Sequence, residues 1–285
     1  MVVKAFAKIN LTLDVVGKRH DGYHKLSSVM HEISLYDELD VTVRKIKGDN
    51  SAVVTSDSFS VPSDENNLCH RAAMLFLEEY GMASTVVNID IKKKIPIAAG
   101  LGGGSSDAAA VIKALNKLLR VEAPAGDLER LAADIGADVP FFIRGKTQHA
   151  RGMGEILEPL DFPYKVYYII CKPDYEALTK EIFRDFDNLV LSGVINSANF
   201  TTAKFLDCVR LGLSPFEHVG NMLSVVAENL FPEVAKIRKR FESFGANSCM
   251  TGSGTAVFGV FSTYAAAIDA YNDLKQDYEN TFLTV

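Results

Sequence analysis

The N-terminal segment of the chain alternates between apolar and polar residues. Every second position is apolar, at Ile9, Leu11, Leu13 and Val15. Because successive side chains of a strand point to opposite faces, this alternation predicts a half-buried β-strand over residues 2–16. Residues 39–46 alternate in the same way, and the turn pair Asp21-Gly22 lies between the two segments. Two strands and an intervening charged turn are therefore predicted near the N-terminus.

Spacings of three and four residues between apolar positions predict helices further along the chain. The predicted helices are 68–80, 106–119, 127–135, 217–230, 233–244 and 263–275. Gly136 and Gly245 are expected to close two of them in the left-handed conformation. Further strands are predicted at 86–91, 166–170, 248–250, 256–261 and 282–285. Because strands and helices mix without a regular βαβ pattern, we expect an α+β fold.

The length and composition predict a globular protein of one large or two medium domains. A chain of 285 residues suffices for two hydrophobic cores. Two prolines within the segment 158–163 mark a boundary, so we expect domains over 1–158 and 159–285. With 48% hydrophobic and 23% charged residues, the composition excludes disorder. No apolar run approaches the roughly 20 residues of a membrane span, so no membrane partner is expected.

Charge and cysteine content narrow the functional classes. The net charge of −6 argues against a nucleic-acid partner, because nucleic-acid-binding domains are usually basic. Four widely spaced cysteines show no zinc-binding pattern: Cys69, Cys171, Cys208 and Cys249. They predict reduced thiols in a cytoplasmic protein without a metal site. Lys4, Lys8 and Asp14 interrupt the apolar run that a signal peptide would need.

The glycine-rich segment Gly100-Leu-Gly-Gly-Gly-Ser-Ser106 predicts an anion site. It follows a predicted strand and three lysines, and it leads directly into a predicted helix. Backbone N–H groups and the positive helix end would meet there, and Ser105 and Ser106 add hydroxyls suited to phosphate or Mg²⁺. The P-loop and the dinucleotide fingerprint are excluded by their spacing. A plain connector with Ser106 as the helix N-cap is the alternative.

Three segments resemble the motifs of the GHMP kinases, the superfamily of galactokinase, homoserine kinase and mevalonate kinase. Residues 7–11 resemble the first motif, residues 96–110 the ATP-binding motif, and residues 250–258 the third. They occur in the family order and span most of the chain. The resemblance implies an N-terminal domain like domain 2 of ribosomal protein S5 and a ferredoxin-like C-terminal domain. It also implies ATP-dependent phosphorylation of a small-molecule hydroxyl, with ATP and Mg²⁺ as cofactors.

Further segments resemble the branch of this family in the non-mevalonate isoprenoid pathway. They are Asp21-Gly-Tyr-His24, Gly136-Ala-Asp-Val-Pro-Phe141 and Gly152-Met-Gly-Glu155. This resemblance implies phosphorylation of the 2-hydroxyl of a cytidine-diphosphate-linked branched tetritol by a monomer or homodimer. Two departures stand out. Residues 221–224 are Asn-Met-Leu-Ser where relatives often have Asn-Asp-Leu-Glu, and Ala98-Ala99 stands where some relatives have glycines.

The resemblance also implies roles for single residues. Asp138 would be the general base, and Lys8 would pair with it and stabilise the transferred charge. Tyr23 and Phe183 would enclose the cytosine ring, and His24 would bond its edge. The implied substrate contacts are Asn10, Tyr23, His24, Thr179 and Phe183. The implied ATP contacts are Asn67, Lys93, Pro96, Ala98, Ala99, Gly100, Leu101, Gly102, Gly103, Gly104, Ser105 and Ser106.

Each of these residues has an ordinary structural alternative. Asp138 and Thr179 could be helix caps, Phe183 could be a core residue, and Lys93 could belong to a solvated charge run. For the function as a whole, the alternatives are another GHMP kinase of the mevalonate or homoserine type and a non-catalytic nucleotide-binding regulator. The tyrosine-histidine turn argues against the first, and the presence of both Lys8 and Asp138 argues against the second.

Overall fold

The computed structural model describes residues 1–195 and 200–285. Contacts divide the chain into two units that are each built from separate stretches of sequence. Unit 1 comprises Met1–Ala7, Leu35–Ile97 and Gly102–Gly145; unit 2 comprises Lys8–Ser34, Ala98–Leu101 and Lys146–Val285. The domain boundary expected between residues 158 and 159 stays a prediction.

Strands and helices occur throughout the described residues. The strands are β1 Val2–Lys18, β2 His24–Lys45, β3 Ser51–Ser56, β4 Thr85–Lys92, β5 Thr147–Gly152, β6 Ile156–Pro159, β7 Tyr167–Cys171, β8 Gly220–Asn221, β9 Asn247–Met250, β10 Val257–Phe261 and β11 Thr281–Thr284. The helices are α1 Leu68–Glu79, α2 Gly103–Leu118, α3 Ala125–Ala133, α4 Val139–Arg144, α5 Thr179–Leu191, α6 Thr202–Arg210, α7 Ser224–Leu230, α8 Pro232–Ser243 and α9 Tyr264–Leu274. The α+β class predicted from the sequence is confirmed.

Unit 1 combines sheet and helices. In it, β4 pairs with β3 in parallel and with the second half of β2 in antiparallel register, where Leu39 lies opposite Ile91. Helices α1 and α2 contact each other, and most side chains of α2 are buried. Small alanines at 108–110 and 114 are fully or almost fully buried, which lets neighbouring elements approach this helix closely.

Unit 2 contains an antiparallel sheet in the order β11-β7-β10-β9. Helices α8 and α9 pack against it. The ring of Phe241 on α8 lies against Gly259 on β10, where an added Cβ would come within 2.6 Å of the ring. Elsewhere in this unit, β8 pairs with β1 in parallel and β5 pairs with the first half of β2. The predicted strands at 166–170, 248–250, 256–261 and 282–285 are confirmed to within one residue at most ends.

The helix predicted at 217–230 is wrong in its first half. A 3₁₀ turn at Phe216–His218 and the short strand β8 replace it, and the helix begins only at Ser224. The Nδ2 amide of Asn221 donates to the carbonyls of Met250 and Gly252, and its Oδ1 accepts from the Leu223 N–H. These side-chain bonds to the backbone compete with helix formation.

The two predicted glycine caps have different outcomes. Gly245 follows α8 with φ +75°, so the left-handed cap is confirmed. Gly136 lies outside the left-handed region, so the cap predicted there is wrong. Its N–H donates to the carbonyl of Ala132, which continues the helical hydrogen-bonding pattern past the end of α3.

Within residues 1–195 and 200–285, no helix is both long enough and apolar enough to cross a bilayer.

A buried ion cluster joins three segments of unit 1. The Nζ atom of Lys93 lies 2.6 Å from Asp37 Oδ2 and 2.7 Å from Asp107 Oδ2. Asp37 Oδ1 also accepts the backbone N–H groups of Lys94, at 2.6 Å, and Ile95, at 2.8 Å. The cluster ties the residues after β4 to β2 and to the N-terminal part of α2. The interpretation of Lys93 as part of a solvated run is wrong, because its side chain is only 8% exposed.

Asp107 is the most strongly desolvated partner of Lys93 for which a pKa shift is resolved. Burial raises the pKa of Asp107 to about 7, with Asp37 adding to the rise and Lys93 opposing it. Burial lowers the pKa of Lys93, but the carboxylates of Asp107 and Asp37 outweigh it and raise that pKa above its ordinary value. The Oδ1 atom of Asp107 has no hydrogen-bond partner among the described residues. When Asp107 is ionised, its buried negative charge is therefore only partly stabilised by hydrogen bonds.

Replacing Asp107 by Asn should stabilise the protein above neutral pH. The folded-state pKa of about 7 lies above the ordinary 3.8, so stability falls as pH rises between these two values. Asp107→Asn should add about 2–4 kcal/mol to the free energy of unfolding at pH 8, and the gain should vanish near pH 4. Urea unfolding from pH 4 to 8 measures it, with exposed Asp49→Asn as the control. A gain that does not change with pH would contradict the account.

Candidate active site

The glycine run continues into the start of helix α2 in unit 1. Gly102 precedes the helix with φ +71°, and the helix begins at Gly103, three residues before Ser106. The first N–H groups of a helix have no carbonyl within the helix to donate to. Here these groups belong to residues 103–105. Ser106 lies inside the helix and its hydroxyl donates to the Phe6 carbonyl at 2.6 Å. The alternative that Ser106 caps the helix is wrong, and the helix start is suited to an anion.

Residues Ala98–Leu101, which include the first glycine of the run, belong to unit 2 and pack on the third motif. A Cβ on Gly100, whose φ is +75°, would lie 2.2 Å from the carbonyl oxygen of Thr251. The Ala99 carbonyl accepts from the Ala256 N–H at 3.2 Å. Gly100 is thus required by a backbone contact as well as by its own conformation. Ala98 also has a left-handed backbone, at φ +51°, a conformation that costs less for glycine.

Lys8 and Asn10 lie on one buried face of β1 in unit 2. Lys8 is 3% and Asn10 1% exposed. Lys8 Nζ donates to Asn10 Oδ1 at 2.6 Å, and the Asn10 N–H donates to Thr251 Oγ1 at 2.9 Å. The Lys8 N–H donates to the Leu101 carbonyl at 3.0 Å. Residues of all three motifs are therefore hydrogen-bonded to one another in this unit.

Asp138 immediately precedes α4 in unit 1. It occupies the N-cap position, but its carboxylate makes no capping bond to that helix in the described structure. The side chain is half-buried. The cap interpretation thus holds for its position and not for its carboxylate. Asp138 and Lys8 belong to different units, and their pairing stays a prediction.

The structure brings two of the predicted cytidine-binding residues together. The His24 ring stacks on Phe183 with a centroid distance of 4.7 Å and an angle of 22°. His24 Nε2 lies 2.7 Å from Asp187 Oδ1, and Lys18 Nζ lies 2.5 Å from Asp187 Oδ2. The Tyr23 side chain is 63% exposed. A sandwich of the cytosine between Tyr23 and Phe183 stays a prediction.

Asp187 is a site residue that sequence reasoning missed. It follows Phe183 by four residues on α5, and this spacing places both side chains on one helix face. Burial opposes its ionisation, but hydrogen bonds from Lys18 and His24 hold the pKa of Asp187 below its ordinary value. A carboxylate in this position fixes the ring orientation of His24. The helical spacing was the signal that could have revealed it.

Thr179 is the first residue of α5, and Leu178 precedes it as the cap residue. Its hydroxyl lies 2.9 Å from the Ser253 hydroxyl of the third motif. The alternative that Thr179 is an N-cap is therefore wrong. The contact joins the start of α5 to the loop at 251–255.

The predicted base contacts Asn67 and Lys93 already have partners within unit 1. Asn67 caps α1, where its Oδ1 accepts from the Cys69 N–H at 2.7 Å and its Nδ2 donates to the Pro62 carbonyl at 2.6 Å. Lys93 belongs to the buried ion cluster. A Cβ on Gly103 would lie 3.0 Å from Lys93 Nζ, so this cluster lies directly beneath the glycine run.

Comparisons with known proteins match both parts of the chain. Residues 67–146 match the GHMP kinases N terminal domain, and residues 211–280 match the GHMP kinases C terminal domain. The chain is 37% identical to the 4-diphosphocytidyl-2-C-methyl-D-erythritol kinase of Clostridium botulinum strain Kyoto, over 100% of this chain and 99% of that protein. It is also 37% identical to the kinase of the same name from Syntrophomonas wolfei, over 99% and 97% of the two chains.

Solved structures agree with the fold. A crystal structure of a 4-(cytidine 5′-diphospho)-2C-methyl-D-erythritol kinase superposes with a TM-score of 0.81 at 34% identity, covering 100% of this chain and 98% of that one. The homoserine kinase of Cytophaga hutchinsonii superposes with a TM-score of 0.75 at 19% identity, covering 100% and 94%, and shows the shared fold. The chain belongs to the GHMP kinase family and is a small-molecule kinase with ATP as its co-substrate.

Proposed function

We propose that this protein transfers the γ-phosphoryl group of ATP to the 2-hydroxyl of 4-diphosphocytidyl-2-C-methyl-D-erythritol. The similarity over the full length to kinases of this name carries the proposal. The geometry of the site also supports it, because His24 in the Tyr23-His24 turn bonds to Asp187 and stacks on Phe183. The protein would then act in isoprenoid precursor biosynthesis.

The proposed chemistry rests mainly on positioning and charge stabilisation, as is usual for phosphoryl transfer. The helix-start N–H groups of residues 103–105 would hold phosphate oxygens. The Lys8 ammonium would balance charge on the transferred group. The Asp138 carboxylate would take the proton from the 2-hydroxyl as the new O–P bond forms and ADP leaves.

We propose that the cytidine group is bound by residues of unit 2. The stacked His24 and Phe183 rings present an apolar face and an imidazole beside it. Tyr23 is exposed and able to stack on a base. Thr179 and Asn10 would contact the remainder of the substrate.

The nucleotide would be held by the segment 96–106, with Asn67 and Lys93 at its edge. Among residues 1–195 and 200–285, no three His, Cys, Asp or Glu side chains are arranged to hold a metal ion. These residues do not fit a dedicated metal cage. Kinases often bind Mg²⁺ chiefly through the phosphates of the nucleotide, and we propose that Mg²⁺ enters with ATP here.

We also propose that the boundary between the two domains lies between residues 158 and 159. The protein is proposed to act in the cytoplasm as a monomer or homodimer, without nucleic-acid or membrane partners. All four cysteines are free thiols, which supports a reducing compartment.

An ADP-release assay against a substrate panel tests the function. The panel contains 4-diphosphocytidyl-2-C-methyl-D-erythritol, mevalonate, homoserine and galactose, each with Mg²⁺ and ATP. ADP release should depend on the cytidine compound alone. Release with mevalonate or homoserine and not with the cytidine compound would overturn the proposal.

Asp138→Asn should abolish most turnover while it leaves nucleotide binding intact. The amide keeps the shape of the carboxylate but cannot accept the hydroxyl proton, so kcat should fall about 10²–10⁴-fold. The Kd for ATP should stay within about twofold, measured by titration calorimetry. The exposed Asp134→Asn, four residues away, is the matched control. Turnover close to that of the wild type in Asp138→Asn would rule out the general-base role.

Tyr23→Ala should weaken binding of the cytidine substrate selectively. Loss of one stacking contact is expected to raise the KM for that substrate about tenfold and to leave the KM for ATP unchanged. Tyr23→Phe, which keeps the ring, should behave like the wild type. The exposed aromatic Phe59 supplies a control variant, Phe59→Ala. If Tyr23→Ala raised both KM values equally, the stacking role would be refuted.

A further inference from the structure

A row of polar side chains runs along one face of β1 in unit 2. Lys8, Asn10, Thr12 and Asp14 occupy alternate positions, and each is at most 3% exposed. Alternate residues of a strand share a face, so these four side chains form one buried polar row. Buried polar groups need hydrogen-bond partners, and those partners indicate what the row does.

A continuous set of hydrogen bonds leads from Lys8 to the backbone of Thr12. Lys8 Nζ donates to Asn10 Oδ1 at 2.6 Å. Asn10 Nδ2 donates to Ser28 Oγ at 2.8 Å. Ser28 Oγ donates to the Thr12 carbonyl at 2.5 Å. Ser28 is itself 1% exposed, so water does not readily replace these partners.

The donors and acceptors of these groups allow only one direction for this series of hydrogen bonds. A serine hydroxyl has a single proton, and the Thr12 carbonyl can only accept it. Ser28 Oγ must therefore act as the acceptor toward Asn10, and the Asn10 amide must turn its NH₂ group to Ser28. The amide oxygen is then the atom that faces the Lys8 ammonium, which has only donors to offer.

We propose that Ser28 is a positioning residue for phosphoryl transfer, because it fixes the Asn10 amide with its oxygen toward Lys8. The proposal rests on the proposed function, in which the Lys8 ammonium balances charge on the transferred group. Ser28 does not touch the reacting atoms. It acts through Asn10, and it keeps an acceptor in place beside the ammonium.

The acceptor of Ser28 is held in place by the rest of the row. Thr12 Oγ1 accepts from the Val29 N–H at 3.0 Å and from Thr202 Oγ1 at 2.9 Å. Asp14 Oδ2 accepts the Thr202 N–H at 2.8 Å. These bonds from β2 and from the start of α6 restrain Thr12, whose carbonyl accepts Ser28 Oγ, so residues outside the three motifs contribute to the orientation of Asn10.

Loss of the Ser28 hydroxyl removes the acceptor of Asn10 Nδ2. In Ser28→Ala this buried NH₂ group loses its bond, and the amide is restrained only at its oxygen, by Lys8 Nζ at 2.6 Å and Thr251 Oγ1 at 3.4 Å. The acceptor beside the ammonium is then less firmly positioned. We expect kcat to fall about 10–100-fold, while the KM values for ATP and for the second substrate change less than twofold.

The neighbouring serine supplies a matched control. Ser27 lies on the same strand, and its hydroxyl faces away from the row, 3.0 Å from His149 Nε2. Ser27→Ala should keep the kcat of the wild type.

A double-mutant cycle with Asn10→Asp distinguishes whether Ser28 orients the Asn10 amide or only supports the local structure. A carboxylate presents an oxygen to Lys8 in either rotation, so the orienting role of Ser28 disappears in that background. Steady-state kinetics of the wild type, Ser28→Ala, Asn10→Asp and the double variant give the coupling. Adding Ser28→Ala to Asn10→Asp should change kcat less than twofold.

The possible outcomes distinguish a failure of the positioning role of Ser28 from a failure of the proposed function. All ratios are measured on whichever substrate the wild type phosphorylates, so a wild type inactive on the cytidine compound refutes the function alone. Equal kcat in Ser28→Ala and Ser27→Ala would overturn the positioning role. So would an equal kcat loss from Ser28→Ala in the Asn10 and Asn10→Asp backgrounds, since that would make Ser28 merely structural.

Discussion

An ammonium group that leaves water must be given acceptors, and two lysines show how this requirement shapes the candidate site. Lys8 is buried on β1 and donates to the Asn10 amide, which is oriented in turn by Ser28. Lys93 is buried after β4 and lies between the carboxylates of Asp37 and Asp107. The carboxylates on Lys93 come from segments distant in sequence, whereas the acceptor of Lys8 is a neighbour on the same strand that a distant serine holds.

The same packing explains the glycines of the central motif. Gly100 is required by its left-handed backbone and by the Thr251 carbonyl, and a Cβ on Gly103 would make tight contacts of 3.0 Å with the Lys93 ammonium and the Ile95 side chain. Glycine at these positions lets protein groups approach from behind the loop, in addition to any ligand in front of it. A substitution at either position would therefore disturb the phosphate site even if the ligand itself tolerated a side chain.

Much of the fold followed from local patterns, and the failures have physical causes. The alternation of β1 and the spacing of α8 and α9 predicted these elements, because apolar periodicity is a local property. The half-buried character predicted for β1 is wrong, because residues 8–15 are buried on both faces of the strand. The helix predicted before Ser224 failed because Asn221 bonds to carbonyls some thirty residues away. The motifs indicated Lys8 and Asp138, but no motif contains Asp37 or Ser28. Their roles depend on long-range contacts that a single sequence does not display.

Phosphorus NMR of the product tests most directly whether the phosphoryl group is transferred to the 2-hydroxyl of the methylerythritol chain. The carbon at that position carries a methyl group and no hydrogen. We expect a new phosphomonoester resonance that remains a singlet without proton decoupling, beside an intact diphosphate pair from the cytidine group. A phosphomonoester resonance split by neighbouring protons, or no new resonance at all, would rule out transfer to this hydroxyl.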